Sequence, residues 1–217
     1  MNDVAPAPLR GAPTVVAGVA PVARVITAAL LRADRSVVGL VDALDEPVPE
    51  PAELDAELVA DLDAGRAAGR YLITDDAGAA ARFTVALVTE PSDDDAALSP
   101  AERYTAALAP DLRPGSLLIV SSPTAEHAGG VVAATVELLT GLQAGTDYAL
   151  AHLFGPVPNG RMIVSGVDVA SATRAEEWLV ELGLGVMPVL PVAAAEVVAG
   201  LLARAEQPPE EGAPPDG

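Results

Sequence analysis

Short runs of β-branched residues alternate along this chain with longer segments of Ala, Leu and Glu, from Thr14-Val15-Val16 to the Ala/Val-rich stretch that closes near residue 205. A β-branched run favours a strand, and a run that is apolar throughout favours a strand covered on both faces. Strands separated by helix-length segments form βα units, whose strands pair in parallel through crossover helices. The expected fold is α/β: a single domain built on a doubly wound, mainly parallel, Rossmann-like sheet.

The punctuation predicts strands over 14–19, 36–41, 71–74, 83–88, 116–121, 148–151, 162–165 and 186–189. Helices are expected over 22–33, 52–67, 100–108, 126–140, 171–182 and 192–205. Leu54, Leu58 and Leu62 recur every four residues and give the second helix one apolar face. Trp178 and Leu182 share a face in the same way and read as core. Residues 1–12 and the closing QPPEEGAPPDG, 207–217, carry Pro and Gly without periodicity, so loose ends are expected around a domain at 13–206.

Apolar residues make up 51% of the chain but aromatic ones only 3%, so the core must be built from Ala, Val and Leu in layers. A formal charge of −19, from 31 acidic residues against 12 arginines, repels a phosphate backbone and argues against a nucleic-acid partner. No apolar stretch approaches the roughly 20 residues of a membrane span, and no basic-then-apolar leader opens the chain; no membrane partner and a cytoplasmic location are expected. There is no cysteine, which excludes disulfides, thiolate metal ligation and a cysteine nucleophile. His127 and His152 are too few for a His-rich metal site.

Asp93-Asp94-Asp95 lacks the spacing of a calcium loop, and Ser122 with His127 lacks the G-x-S-x-G elbow of a serine hydrolase. No catalytic and no metal-ligating residue is assigned.

The turn after the first strand carries the nucleotide signal. A dinucleotide-binding turn uses three glycines to bend tightly, to bring backbone amides to the pyrophosphate and to pack helix on strand. Here the run is Gly18-Val19-Ala20-Pro21-Val22-Ala23, which keeps only the first glycine. Ala20 adds a methyl group where the backbone would approach the phosphates, and Pro21 removes an N–H from the anion-binding end of the helix. Weakened pyrophosphate binding is expected.

Asp42 closes the second strand 24 residues after Gly18, near the spacing of roughly 20 at which an acid meets a ribose hydroxyl and favours NAD over NADP. A helix-capping or solvated Asp42 fits equally, and S-adenosylmethionine-binding folds place an acid at the same point. Gly18, Ala20, Val22, Asp42, Val88, Thr89 and Ser122 form the candidate cofactor crest at the strand carboxyl ends. Thr89 and Ser122 can line a pocket there or cap the next helix.

Longer landmarks add a resemblance. They are Val38-Gly39-Leu40-Val41-Asp42, the segment PVPEPAELDAELVADLDAGRAAGRYLITDD over 47–76, Val88-Thr89-Glu90-Pro91, LRPGSLLIVSS over 112–122, and Gly166-Val167-Asp168. In order and spacing over about residues 14–204 the chain resembles the N-terminal domain of the UDP-glucose/GDP-mannose dehydrogenase family.

The resemblance implies an NAD-binding domain from enzymes that oxidise a nucleotide sugar at C6 with a cysteine in a later domain and a lysine and a glutamate near the end of the first. This chain is expected to stop before that later domain. The segment resembling YSPER is His152-Leu153-Phe154-Gly155-Pro156 here, with Gly155 at the glutamate position. The segment resembling AEMVKLAEN is Ala195-Glu196-Val197-Val198-Ala199-Gly200-Leu201, with Ala199 at the lysine position.

Two expectations follow from different classes. One is a degenerate NAD-binding protein without alcohol-oxidising activity of its own, a binding or partner subunit. The other is an active NAD-dependent oxidoreductase completed by a separate protein chain that supplies the missing domain.

Overall fold

The computed structural model describes residues 13–41, 56–80, 82–90, 99–122, 125–157 and 160–205. The expected N- and C-terminal tails, the start of the helix predicted from residue 52, Asp42 and Asp93-Asp94-Asp95 lie outside the described residues.

Eight strands form one sheet. They are β1 (Thr14–Ala17), β2 (Val37–Leu40), β3 (Tyr71–Thr74), β4 (Val85–Thr89), β5 (Leu117–Ser121), β6 (Ala149–Val157), β7 (Arg161–Gly166) and β8 (Val186–Pro188). Their order is β3-β2-β1-β4-β5-β6-β7-β8, and every pairing is parallel except β6 with β7. The crossover helices are α1 (Pro21–Arg32), α2 (Ala56–Ala67), α3 (Pro100–Leu108), α4 (Ala125–Thr140), α5 (Val169–Glu181) and α6 (Val192–Ala205).

Alternation along the central strands explains the double winding. Val16 of β1, Val85 and Leu87 of β4, and Leu117 and Ile119 of β5 face one core, with α1, Leu62 of α2 and Trp178 of α5. Val15, Ala17, Ala86, Val88, Leu118 and Val120 face the other, with Tyr104 of α3 and Val132 of α4. Side chains of a strand alternate faces, so only a run that is apolar at every position can serve both layers. A smaller cluster of Phe154, Ile163 and Ala195 seats α6 on β6 and β7. Trp178 is fully buried and Leu182 nearly so, as their shared face predicts.

Helix ends are fixed by short polar residues where the sequence offers them. The Ser99 hydroxyl accepts from the Glu102 N–H at 3.2 Å and opens α3 before Pro100. The Asp168 carboxylate accepts from the Ser171 N–H at 2.7 Å and opens α5, which gives the Gly166-Val167-Asp168 landmark a structural task.

Most boundaries shift from expectation by one or two residues, and two of the shifts have a visible cause. β1 ends at Ala17 rather than residue 19, because Gly18 leaves the extended region with φ +95°. β6 runs on to Val157 rather than stopping at 151; its register shifts between Phe154 and Val157, with Gly155 at φ +120°. That irregular stretch lets the strand continue through Gly155-Pro156.

Candidate functional site

The sheet order reverses between β1 and β4, both starting neighbours of later elements on opposite sides. In an open α/β sheet, crossover connections leave such a point in opposite directions and a crevice opens at the strand carboxyl ends. Gly18 and Thr89 meet there.

The Gly18 N–H donates to the Leu40 carbonyl at 2.9 Å, which carries the turn over from β1 to the end of β2. A Cβ on Gly18 would lie 2.7 Å from the Thr89 carbonyl oxygen and closer still to its hydroxyl. Glycine is therefore required twice, by the positive φ and by the approach of β4. The fully buried Thr89 hydroxyl donates to the Ala17 carbonyl at 2.9 Å and ties the two strands at the crevice floor.

The other candidates are placed as follows. Ala20 is the N-cap of α1, makes no side-chain cap and is largely covered within the first core cluster. Val22 is buried in the same cluster, and Val88 is fully buried in the second, so both side chains are core rather than crevice lining. Ser122 is buried just beyond β5. Gly18, Thr89 and Ser122 thus gather at neighbouring strand ends, while Val22 and Val88 contribute only their backbone positions.

The start of α1 is a poor anion site. Pro21 has no N–H, and the Ala23 N–H is bonded to the Ala20 carbonyl at 2.9 Å. Of the first three helical residues only Val22 keeps an N–H without such a constraint, where a pyrophosphate site draws on several. Gly18 provides a close turn at the crest, while the first turn of α1 offers few N–H donors.

Two cavities flank the end of β2, one on each sheet face. The one on the α3 side, about 280 Å³, is lined by Leu40, Val41, Asp75, Ala77, Arg103, Tyr104 and Ala107. The one on the α1/α2 side, about 330 Å³, includes Gly18, Val19, Arg24, Val41, Arg66 and Tyr71. Composition hid this second cavity from the sequence reading: its arginines sit on helices that otherwise read as amphipathic surface.

Further along the crest, Gly155 and Ala199 occupy neighbouring elements. Ala199 packs on the cluster that holds Phe154, next to Gly155 in β6. Neither position offers an acid or an amine. His152 is buried on β6 directly across from the buried Ser165 of β7, and its Nδ1 and the Ser165 hydroxyl have no hydrogen-bond partner. Burial pushes the His152 imidazole down to a pKa of about 4, so it is neutral at pH 7. His127 lies in the first turn of α4.

Among the described residues no three His, Asp or Glu side chains converge as metal ligands. No helix among them is long and apolar enough to cross a membrane.

No known family model matches the sequence, and no curated protein matches it. Solved structures do match the fold. UDP-D-ManNAc dehydrogenase from Pyrococcus horikoshii superposes with a TM-score of 0.71 at 22% identity, covering 86% of this chain and 49% of that one. An NDP-N-acetyl-D-galactosaminuronic acid dehydrogenase from Methanosarcina mazei gives 0.68 at 23%, covering 86% and 46%. GDP-mannose dehydrogenase from Pseudomonas aeruginosa, solved as a ternary complex, gives 0.69 at 19%, covering 88% and 49%. The chain spans about half the length of these structures, and its α/β sheet is the Rossmann-like fold that nucleotide-sugar dehydrogenases carry over that half.

Proposed function

We propose that this chain is a nucleotide-binding Rossmann protein of nucleotide-sugar-dehydrogenase type that holds NAD weakly and does not oxidise alcohols alone. The observation that carries the reading is the Gly18 turn, packed against Thr89 at the point where the strand order reverses. That geometry keeps the backbone approach a dinucleotide needs, while Pro21 and the occupied Ala23 N–H reduce what α1 offers a pyrophosphate.

Residues Gly18, Val41, Thr89 and Ser122 would border the cofactor, with the cavity beside Leu40, Asp75 and Tyr104 available to its base. When bound, NAD supplies a hydride acceptor. Around it the chain presents Gly155 and Ala199 where the resemblance places the acid and the amine, so no side chain at those positions takes or gives a proton. The neutral, buried His152 has no described acid beside it to change that.

A role as a partner subunit is inferred from the same deficits, which equally leave room for the second reading, an active oxidoreductase completed by a separate chain.

An assay of NADH formation separates the readings. The purified chain with NAD and UDP-glucose or GDP-mannose should give no turnover, whereas turnover by the chain alone overturns the proposal. Restored turnover on mixing with a second protein would select the completed-enzyme reading.

A further inference from the structure

The cavity on the α1/α2 face contains more charge than a packing defect explains. α1 and α2 meet near their C-terminal ends, where Gly65 lies under Leu31: a Cβ there would come within 2.5 Å of Leu31 Cδ1. Beside that contact they leave about 330 Å³ between Ala23, Arg24 and Thr27 on one helix and Val59, Leu62, Asp63 and Arg66 on the other. The floor is the sheet, with Val16, Gly39 and Tyr71, and the mouth opens at Gly18, Val19 and Val41.

Gly39 shapes this floor. A Cβ on it would sit 3.1 Å from Tyr71 Cε2 and 3.2 Å from the phenol oxygen, so the glycine lets the Tyr71 ring lie across β2. The Arg66 guanidinium stands over that ring, 5.4 Å from its centroid. Burial raises the Tyr71 pKa, and the charges of Arg66 and Arg24 act against the rise, so both guanidinium groups are within electrostatic reach of the phenol. The phenol is protonated at neutral pH and can donate.

Arg24 is the anomaly. Its Nη2 is buried and has no hydrogen-bond partner. A guanidinium nitrogen taken from water without an acceptor costs free energy, and proteins seldom keep one without a use. Asp63 is a weak counter-ion for the cavity: its carboxylate lies 3.4 Å from Arg66 Nη1 and is mostly exposed. Among the described lining residues, two arginines face the cavity with one carboxylate, Asp63.

We propose that this cavity is a binding site for a small organic anion, with an apolar body against Val16, Val59 and Leu62 and a carboxylate or phosphate group held by Arg24, Arg66 and the Tyr71 hydroxyl. The volume suits a single ring with one substituent, too little for a dinucleotide but enough for a group inserted from its mouth. The anion has two sources: a free organic acid, or a phosphate on the ribose of a nucleotide lying on the crest at Gly18 and Val41. The second source rests on the nucleotide reading; the first does not.

The test is amide and arginine side-chain NMR of the full ¹⁵N-labelled chain titrated separately with benzoate, adenosine 2′-monophosphate and NAD. Shifts of Gly39, Leu62 and the Arg24 side chain are expected with benzoate, with adenosine 2′-monophosphate, or with both, and the more effective probe identifies the source. The Arg24→Met variant should weaken that probe by about tenfold or more, as loss of a charge-assisted contact does. The same variant should melt at a higher temperature than the parent without ligand, because it keeps the aliphatic stem and removes a buried nitrogen that has no partner; a purely structural arginine would lower it.

Absence of these shifts with both anionic probes, or an Arg24→Met chain that binds them unchanged, overturns the proposal. NAD titration keeps the two readings apart. Crest shifts at Thr89 and Ser122, which lie outside the cavity lining, without anion-induced shifts at Gly39 sink only this site, and the reverse sinks only the nucleotide reading.

Discussion

At the scale of single residues, the crevice depends on Gly18 and Thr89. Gly18→Ala places a side chain at φ +95° against β4, and should cost about 1–3 kcal/mol in urea unfolding as well as the close turn. Thr89→Val removes the hydroxyl that donates to Ala17 while keeping the shape, and should cost about 1 kcal/mol. Because that hydroxyl is already committed to the strand, Thr89→Val should leave NAD affinity unchanged even though the residue borders the cofactor; a large loss would mean that the hydroxyl itself contacts the cofactor.

His152 makes stability depend on pH. Its folded pKa, about 4, lies below the ordinary 6.5, so between those values the unfolded chain binds a proton that the folded chain refuses. The contribution is complete above pH 6.5, falls as pH drops through the window and levels off below 4. By pH 5 it should have shrunk by about 2 kcal/mol, and His152→Leu should remove that slope between pH 7 and 5. Denaturant midpoints of the two chains at both pH values check it. Gly129 stands so close that a Cβ on it would lie 2.7 Å from His152 Nε2, which leaves no room for a hydration shell around an imidazolium.

At the scale of elements, most of the architecture was legible because the signal is redundant. β3, α3 and α6 begin and end at the residues the punctuation predicts: Gly69 precedes β3, Pro100 opens α3 with Pro110 just past its end, and Pro191 precedes α6. The strand expected over 148–151 runs on to Val157, and its pairing with β7, not its own sequence, shows that the chain stays extended through Gly155-Pro156. The candidate crest was partly legible. Spacing located Gly18, Thr89 and Ser122, but the period-two alternation of β4 already turned Val88 toward the second core, and Val22 went to the first.

The Arg24–Arg66–Tyr71 cavity could not be read from spacing, because it is assembled by three elements whose convergence depends on Gly39 and Gly65. The weak start of α1 offers an element-scale test. Ala20 has no side-chain cap, so Ala20→Ser should add about 0.5–1 kcal/mol to stability in urea unfolding by bonding a first-turn N–H. An unchanged or lowered midpoint would mean that its place in the core outweighs the cap.

For the molecule as a whole, both sheet faces are buried under helices, and the carboxyl edge of the sheet is left as the surface where a ligand can meet several strands at once. Fold likeness to dehydrogenases does not bring their chemistry with it. The turn at Gly18 is the feature on which the nucleotide reading rests; Gly155 and Ala199 stand where the resemblance places an acid and an amine, and the sequence contains no cysteine.

Calorimetric titration of the full chain with NAD, with a nucleotide sugar then added to the saturated complex, tests this account most directly. Saturable but weak binding is predicted, with a dissociation constant nearer 1 mM than 1 µM, about −4 to −6 kcal/mol, and no NADH formed afterwards. NADH formation by the chain alone, or no binding heat at any NAD concentration, would contradict it.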